Sequence, residues 1–187
     1  MTDFTLSSGS ICRPYRSPWG AFPTRTFKVS TGVSSAAIQL GRPVTLDYTE
    51  AGNTSNAAYV KASTADNTFY LAGIAAEAAS GSTAVVGVTG ISVWECNPMV
   101  EFKAVTKAGT LQSSQVGLTK TLHFDSTLGI AYVDLSASTA ADHRVVVTDL
   151  LDAQGDSGGY VAFKFITNSN RQGSTIVSST PYLAFYR

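Results

Sequence analysis

The stretch FYLAGIAAEAASGSTAVVGVTGISVWECNPMVEFKA, Phe69 to Ala104, decides the fold. It opens on Phe69, Tyr70, Leu71 and Ile74 and crosses a small-residue region from Ala78 to Thr83. Two strand-like runs follow, at Val85 to Trp94 and Met99 to Val105. In the second run Val100, Phe102 and Ala104 alternate with Glu101 and Lys103, the pattern of a strand with one buried and one wet face. Ala75 to Ala79 has helix propensity but is too short for a stable helix before Ser80-Gly81-Ser82, so it reads as a turn. No catalytic cluster falls in this block.

The pattern continues outward in both directions. Upstream, Phe27 and Val29 alternate with polar residues. Ile38 to Asp47 reads as a strand interrupted at Gly41-Arg42-Pro43, where proline favours a kink or an edge. After the polar turn at 49–57, Tyr59 to Ala62 and Phe69 to Ile74 read as strands around a turn at Asp66-Asn67. Downstream, Leu118 to Phe124, a turn at Asp125 to Gly129 and Ile130 to Leu135 spell a hairpin. Val145 to Leu151 is a further strand. After a loop at 152–159, Val161, Phe163 and Phe165 alternate before a turn at Asn168 to Gly173, and Tyr182 to Tyr186 makes an aromatic strand at the C-terminus. Roughly ten short strands without a long helix indicate an all-β fold. The expectation is a single β-barrel or sandwich-like domain over 26–187, preceded by an extended arm over 1–25. No period in the sequence marks an internal repeat.

Composition bounds the partners. The chain has 187 residues, enough for one well-packed domain, and thirteen basic residues cancel thirteen acidic ones. Nucleic acid needs a net or clustered positive field, so it is not an expected partner. Charged residues are 14% of the chain, against about 25% in an average globular protein, which suits a surface meant to associate. No window approaches about 18 apolar residues, so no membrane-spanning helix is expected. The first thirty residues also lack the apolar core of a secretory signal. Cys12 and Cys96 form no CxxC or Cys/His ligand set, and two thiols in a reducing cytosol are the plainer reading.

Residues 1–25 hold Pro14, Pro18 and Pro23, each of which biases its predecessor to extended conformations. Arg13, Arg16, Arg25 and Lys28 are opposed only by Asp3. With Tyr15, Trp19 and Phe22 among them, the candidates for contact with a partner are Arg13, Tyr15, Arg16, Trp19, Phe22 and Arg25.

Gly155-Asp156-Ser157-Gly158-Gly159 spells GDSGG, which surrounds the nucleophile in chymotrypsin-like serine proteases. There the base lies roughly 140 residues upstream of the serine. Here His123 and His143 precede Ser157 by only 34 and 14 positions, and Tyr160 stands where that family continues with proline. The expectation is an inter-strand loop and no enzyme, with serine hydrolysis at this loop a remote alternative. Asp142, Asp149, Asp152 and Asp156 match no calcium-loop spacing, and no zinc set exists, so no metal and no cofactor are expected.

The run Gly41, Pro43, Val44, Thr45, Leu46, Asp47, the segment Leu71 to Ser80, a Val-x-Val-Trp-like strand and Glu101 to Ala104 resemble the head decoration, or cement, proteins of tailed bacteriophages. The resemblance covers about residues 26 to 150. It implies a β-barrel or β-tulip domain that binds the outer capsid surface, commonly as a homotrimer, and bridges neighbouring major capsid subunits, in some members with the help of an N-terminal arm. The expected location is then the outside of a virion, after synthesis in the host cytoplasm. A tail, fibre or receptor-binding β module is the alternative within phage structural proteins.

Overall fold

The computed structural model describes residues 11–30, 38–46, 59–63, 71–79, 90–136 and 144–166, and among these there is no α-helix. Eleven strands follow the alternation of the sequence: β1 (Arg13–Arg16), β2 (Thr24–Val29), β3 (Pro43–Leu46), β4 (Tyr59–Ala62), β5 (Leu71–Ala75), β6 (Gly90–Glu95), β7 (Glu101–Lys107), β8 (Thr119–Asp125), β9 (Ile130–Asp134), β10 (Arg144–Leu150) and β11 (Tyr160–Phe165). The 119–135 hairpin forms as expected, with Leu122 opposite Val133 and Phe124 opposite Ala131. Ala76 to Ala78 turn without helix, and Ala79 bridges back to Ile38. The expected strand at Ile38 to Asp47 is reduced to that bridge and β3, because Gly41 and Arg42 turn the chain between them. The expected turns at 49–57, Asp66-Asn67 and Asn168 to Gly173 and the strand at Tyr182 to Tyr186 lie outside the described residues.

The all-β barrel expectation holds, and barrel closure occurs twice. Strands β2-β4-β3-β5-β6 form one closed barrel. In the second sheet β7-β11-β10-β8-β9 run in order and β9 returns to β7, so these five strands also make a ring, with β1 added on β7. Numbering strands within each ring gives the same cyclic order, first-third-second-fourth-fifth, and in each ring only the first and third strands are parallel.

The registers agree as well as the order. Lys28 opposite Tyr59 and Val29 opposite Val60 correspond to Val105 opposite Tyr132 and Thr106 opposite Val133. Thr45 opposite Lys61 and Leu46 opposite Val60 correspond to Thr121 opposite Asp134 and Leu122 opposite Val133. The remaining three pairings continue the match: Pro43 with Ile74 and Thr119 with Val146, Ile74 with Trp94 and Val146 with Lys164, Lys28 with Gly90 and Val105 with Tyr160. A slip of one residue would turn a strand inside out, so agreement around both rings, apart from the bulge that sets Thr45 opposite Leu71 where the matching ladder runs regularly to Thr121 opposite Arg144, means one architecture used twice.

Each ring fills its own interior. Phe27, Val29, Ile38, Val44, Val60, Ile91 and Val93 form the first core, while Val100, Phe102, Leu122, Val133, Val147, Val161 and Phe163 are among those that form the second. In the second, Phe102 stacks on Phe163 at 6.0 Å between centroids and meets Phe165 edge-on at 5.0 Å. Leu71 and Ile74 of β5 belong to the second cluster instead of the first, with Trp94 and Cys96 packed against it, so the two barrels share an apolar seam.

That seam also receives the chain before β1. Cys12 is 0% exposed within the second cluster, and Pro14 is buried. Gly41 approaches so closely that a Cβ would stand 2.4 Å from Ile11 Cγ2, and its φ of +80° is one that glycine adopts freely. The Arg42 guanidinium lies 4.1 Å over the Phe124 ring and donates from Nη2 to the Ser63 carbonyl at 3.3 Å. Segment 39–42 of the first barrel thus seats on the second.

Candidate docking surface

Within the segment expected as an arm, 13–16 run extended and pair with β7, Arg13 opposite Lys103, Pro14 opposite Phe102 and Arg16 opposite Glu101. Proline is tolerated because β1 lies at an edge. Arg13 is exposed. Tyr15 is half-buried, with the Arg16 guanidinium 4.6 Å and the Lys103 ammonium 5.8 Å from its ring centroid. Arg16 donates to Tyr15 Oη at 3.3 Å and pairs with Glu101 at 3.4 Å and Asp149 at 3.5 Å. Exposed pairs of this kind contribute about 0 to 1 kcal/mol each, so they orient the arginine more than they stabilise the fold.

Trp19 and Phe22 stand in the connection from β1 to β2, 58% and 37% exposed. Trp19 N donates to Ser17 Oγ at 3.2 Å, which holds a turn that lifts the indole off the surface. Arg25 sits on the first barrel, its guanidinium 5.3 Å over the Phe27 ring. The six sequence candidates therefore fall into three places: Arg13, Tyr15 and Arg16 on the β1-β7 face, Trp19 and Phe22 at the crossing between barrels, and Arg25 on β2.

Met99, 55% exposed, was not among them. Arg16 lies opposite Glu101, and Glu95 N donates to the Pro23 carbonyl at 3.1 Å, so 17–22 and 96–100 bridge the same gap between barrels. Trp19, Phe22 and Met99 thus stand exposed on the two connections that cross this gap. Asn97-Pro98 before Met99, a turn signal between two apolar runs, was the available clue.

The GDSGG loop has a structural account. Gly155 and Gly158 have φ of +96° and +80°, and a Cβ on Gly159 would meet Leu111 Cδ1 at 2.7 Å and Asp152 Cβ at 3.1 Å. Gly155 N donates to the Leu111 carbonyl at 2.8 Å, Leu111 N to the Asp156 carbonyl at 2.9 Å, and Tyr160 N to Asp152 Oδ2 at 2.7 Å. Ser157 is exposed and bridges to Thr110. His123 stacks on Tyr132 at 5.6 Å, its Nε2 3.9 Å from Asp134 Oδ2. With Thr119 opposite Val146, His123 lies beyond one end of the β8–β10 ladder and the loop beyond the other, roughly 25 Å apart along the strands. His143 and Asp142 lie outside the described residues. We expect Ser157→Ala to leave the melting temperature unchanged, and Gly159→Ala to cost about 1 to 3 kcal/mol in denaturant titration.

Elsewhere, Lys107 Nζ donates to Asp125 Oδ2 at 2.8 Å, and Asp125 Oδ1 accepts from Thr127 N and Leu128 N. These bonds, Lys107's first, hold the Asp125 carboxyl below its usual range, and the same hydrogen bond raises Lys107. The pair's contribution is present above the ordinary carboxylate pKa and is lost as pH falls through the lower, folded one. Asp125→Asn should therefore lower stability by under about 1 kcal/mol at neutral pH, and by progressively less as pH falls through the lowered Asp125 range, read from urea midpoints. Cys12 and Cys96 are both free thiols; burial pushes the Cys12 thiol up, and Cys96 Sγ donates to the Leu71 carbonyl at 3.3 Å. Among the described residues no three His, Cys, Asp or Glu side chains group as metal ligands.

No family model, no curated protein and no solved structure matches this chain.

Proposed function

We propose that the chain is a structural virion protein that binds the outer surface of a phage capsid and stabilises it by bridging neighbouring major capsid subunits. The observation that carries the reading is the projection of Trp19, Phe22 and Met99 from the crossing between two closed barrels. Large apolar side chains held out on structured turns are a liability in a free protein and anchors in a bound one. The sequence resemblance to cement proteins supplies the partner class, and the balanced charge supports association with protein over nucleic acid.

The mechanism is binding without catalysis. A ligand that binds the assembled lattice and not its dissociated subunits stabilises the lattice by mass action, and many copies multiply a modest affinity at each site. Self-association as a homotrimer belongs to the same reading and is checked by sedimentation equilibrium. The test of function is heating of shells stripped of this chain, with and without it added back. Disruption moving to higher temperature as the chain saturates supports the proposal; an unchanged transition with no chain on the pelleted shells overturns it.

A further inference from the structure

The matching registers of the two barrels expose one difference between them. In the second barrel the first strand, β7, uses one edge twice: β9 covers Val105 to Lys107, and β1 covers Glu101 to Lys103. In the first barrel the first strand is β2, and β4 covers only Lys28 and Val29 of the corresponding edge. The positions that match Glu101, Phe102 and Lys103 are Thr24, Arg25 and Thr26, because Thr24 lies opposite Trp94 as Glu101 would lie opposite Lys164. No strand among the described residues pairs with that edge, and all three residues are exposed.

The direction of the backbone groups there follows from the ladder. Glu95 N donates to the Pro23 carbonyl, so residues 25 and 27 turn their peptide groups to β6, while Thr24 and Thr26 turn theirs away. Ser30, in the same phase as Thr24 and Thr26, accordingly donates to the Val60 carbonyl of β4 at 3.0 Å. Thr24 and Thr26 therefore present N–H and C=O groups to an open position that is filled at the equivalent place on β7. Edge β1 carries Pro14 and two flanking arginines, devices that discourage pairing, whereas Thr24 to Thr26 include no proline.

We infer that the Thr24–Thr26 edge of β2 receives an extended segment of the major capsid subunit, which adds a strand to the first barrel as β1 adds one to the second. This rests on the capsid reading above. The groups on offer are alternating peptide donors and acceptors, which select a protein strand. Segment 13–16 of a second copy is disfavoured as the source, since it already lies on its own β7. The edge begins two residues after Phe22, so a strand placed there would continue the apolar contact of Trp19, Phe22 and Met99.

Thr26→Pro in the full chain removes one of the two N–H groups that point outward, the other being that of Thr24, and leaves the β6 ladder its bonds. It should keep the melting temperature and weaken binding to capsid shells stripped of this chain by at least tenfold, while Thr26→Val binds as the unmodified chain does. In hydrogen exchange on the unmodified chain, the Thr24 and Thr26 amides should slow at least tenfold on the shells, which decides the matter even where the proline variant misfolds. Unchanged exchange of both amides on saturated shells overturns the inference and leaves the capsid reading intact. Loss of self-association with full shell binding overturns it too, by making a second copy the occupant. Failure of the unmodified chain to bind shells overturns both.

Discussion

A chain lacking residues 1–16 is expected to melt roughly 6 to 12 °C below the full-length protein. The deletion removes Cys12, fully buried in the second core, and Pro14, buried opposite Phe102. It also opens the place where Gly41 meets Ile11 and Cys12, at the seam between barrels. The lost apolar burial comes to about 3 kcal/mol, a large share of the 5 to 15 kcal/mol that keeps a domain folded. A truncated chain that melts with the full-length protein would show β1 to be a passenger on β7. A consequence for experiment is that removing 1–25 alters the fold together with the contact candidates, since Thr24 already belongs to β2. Loss of binding in that truncation would not by itself locate the contact.

The second large effect is on binding. Trp19→Ala combined with Phe22→Ala should lower the melting temperature by only a few degrees, because Trp19 is 58% exposed and Phe22, at 37%, gives up part of its burial. On shells the same double variant should bind about a thousandfold more weakly. Central aromatic anchors cost at least about 2 kcal/mol each on truncation, and about 4 kcal/mol is roughly three decades in dissociation constant. Titration of labelled chain onto stripped shells reads this directly. A double variant that binds within threefold of the unmodified chain would place the contact elsewhere, with Tyr15 and Arg16 on the β1-β7 face as the next residues to change.

Single strands and their local pairing were legible because they rest on alternation. Leu122 with Val133 and Val161 with Phe163 announce their inward faces, and Asp125 to Gly129 carries turn residues where the hairpin needs them. Closure into two rings was not legible. It depends on the parallel pairs β2 with β4 and β7 with β9, which join strands distant in sequence, and no local pattern encodes them.

The duplication was hidden for a related reason. The inward residues the barrels share are of common type, such as Leu46 with Leu122 and Val60 with Val133. Outward positions differ in chemistry, Lys61 against Asp134 and Trp94 against Lys164. Connections of unequal length also shift the spacing: Thr24 matches Glu101 while Val93 matches Phe163, so no fixed period survives.

The contact residues show the same division. Trp19 and Phe22 stood out as aromatics among prolines, but that 17–22 and 96–100, which carries Met99, cross the same gap is a product of the fold, set by the pairing at their ends. GDSGG, too, takes its meaning from what surrounds it. A short string carries catalytic meaning only with its partners in place, and here its glycines answer to positive φ and to the close approach of Leu111.

The proposal that the chain coats a capsid is tested most directly by its copy number. Quantitative mass spectrometry of particles purified from the source of the chain gives its ratio to the major capsid protein. A ratio near one, or another simple fraction of the lattice, is the predicted result. A few copies per particle would assign the chain to a tail or a vertex, and its absence from particles would contradict the virion role altogether.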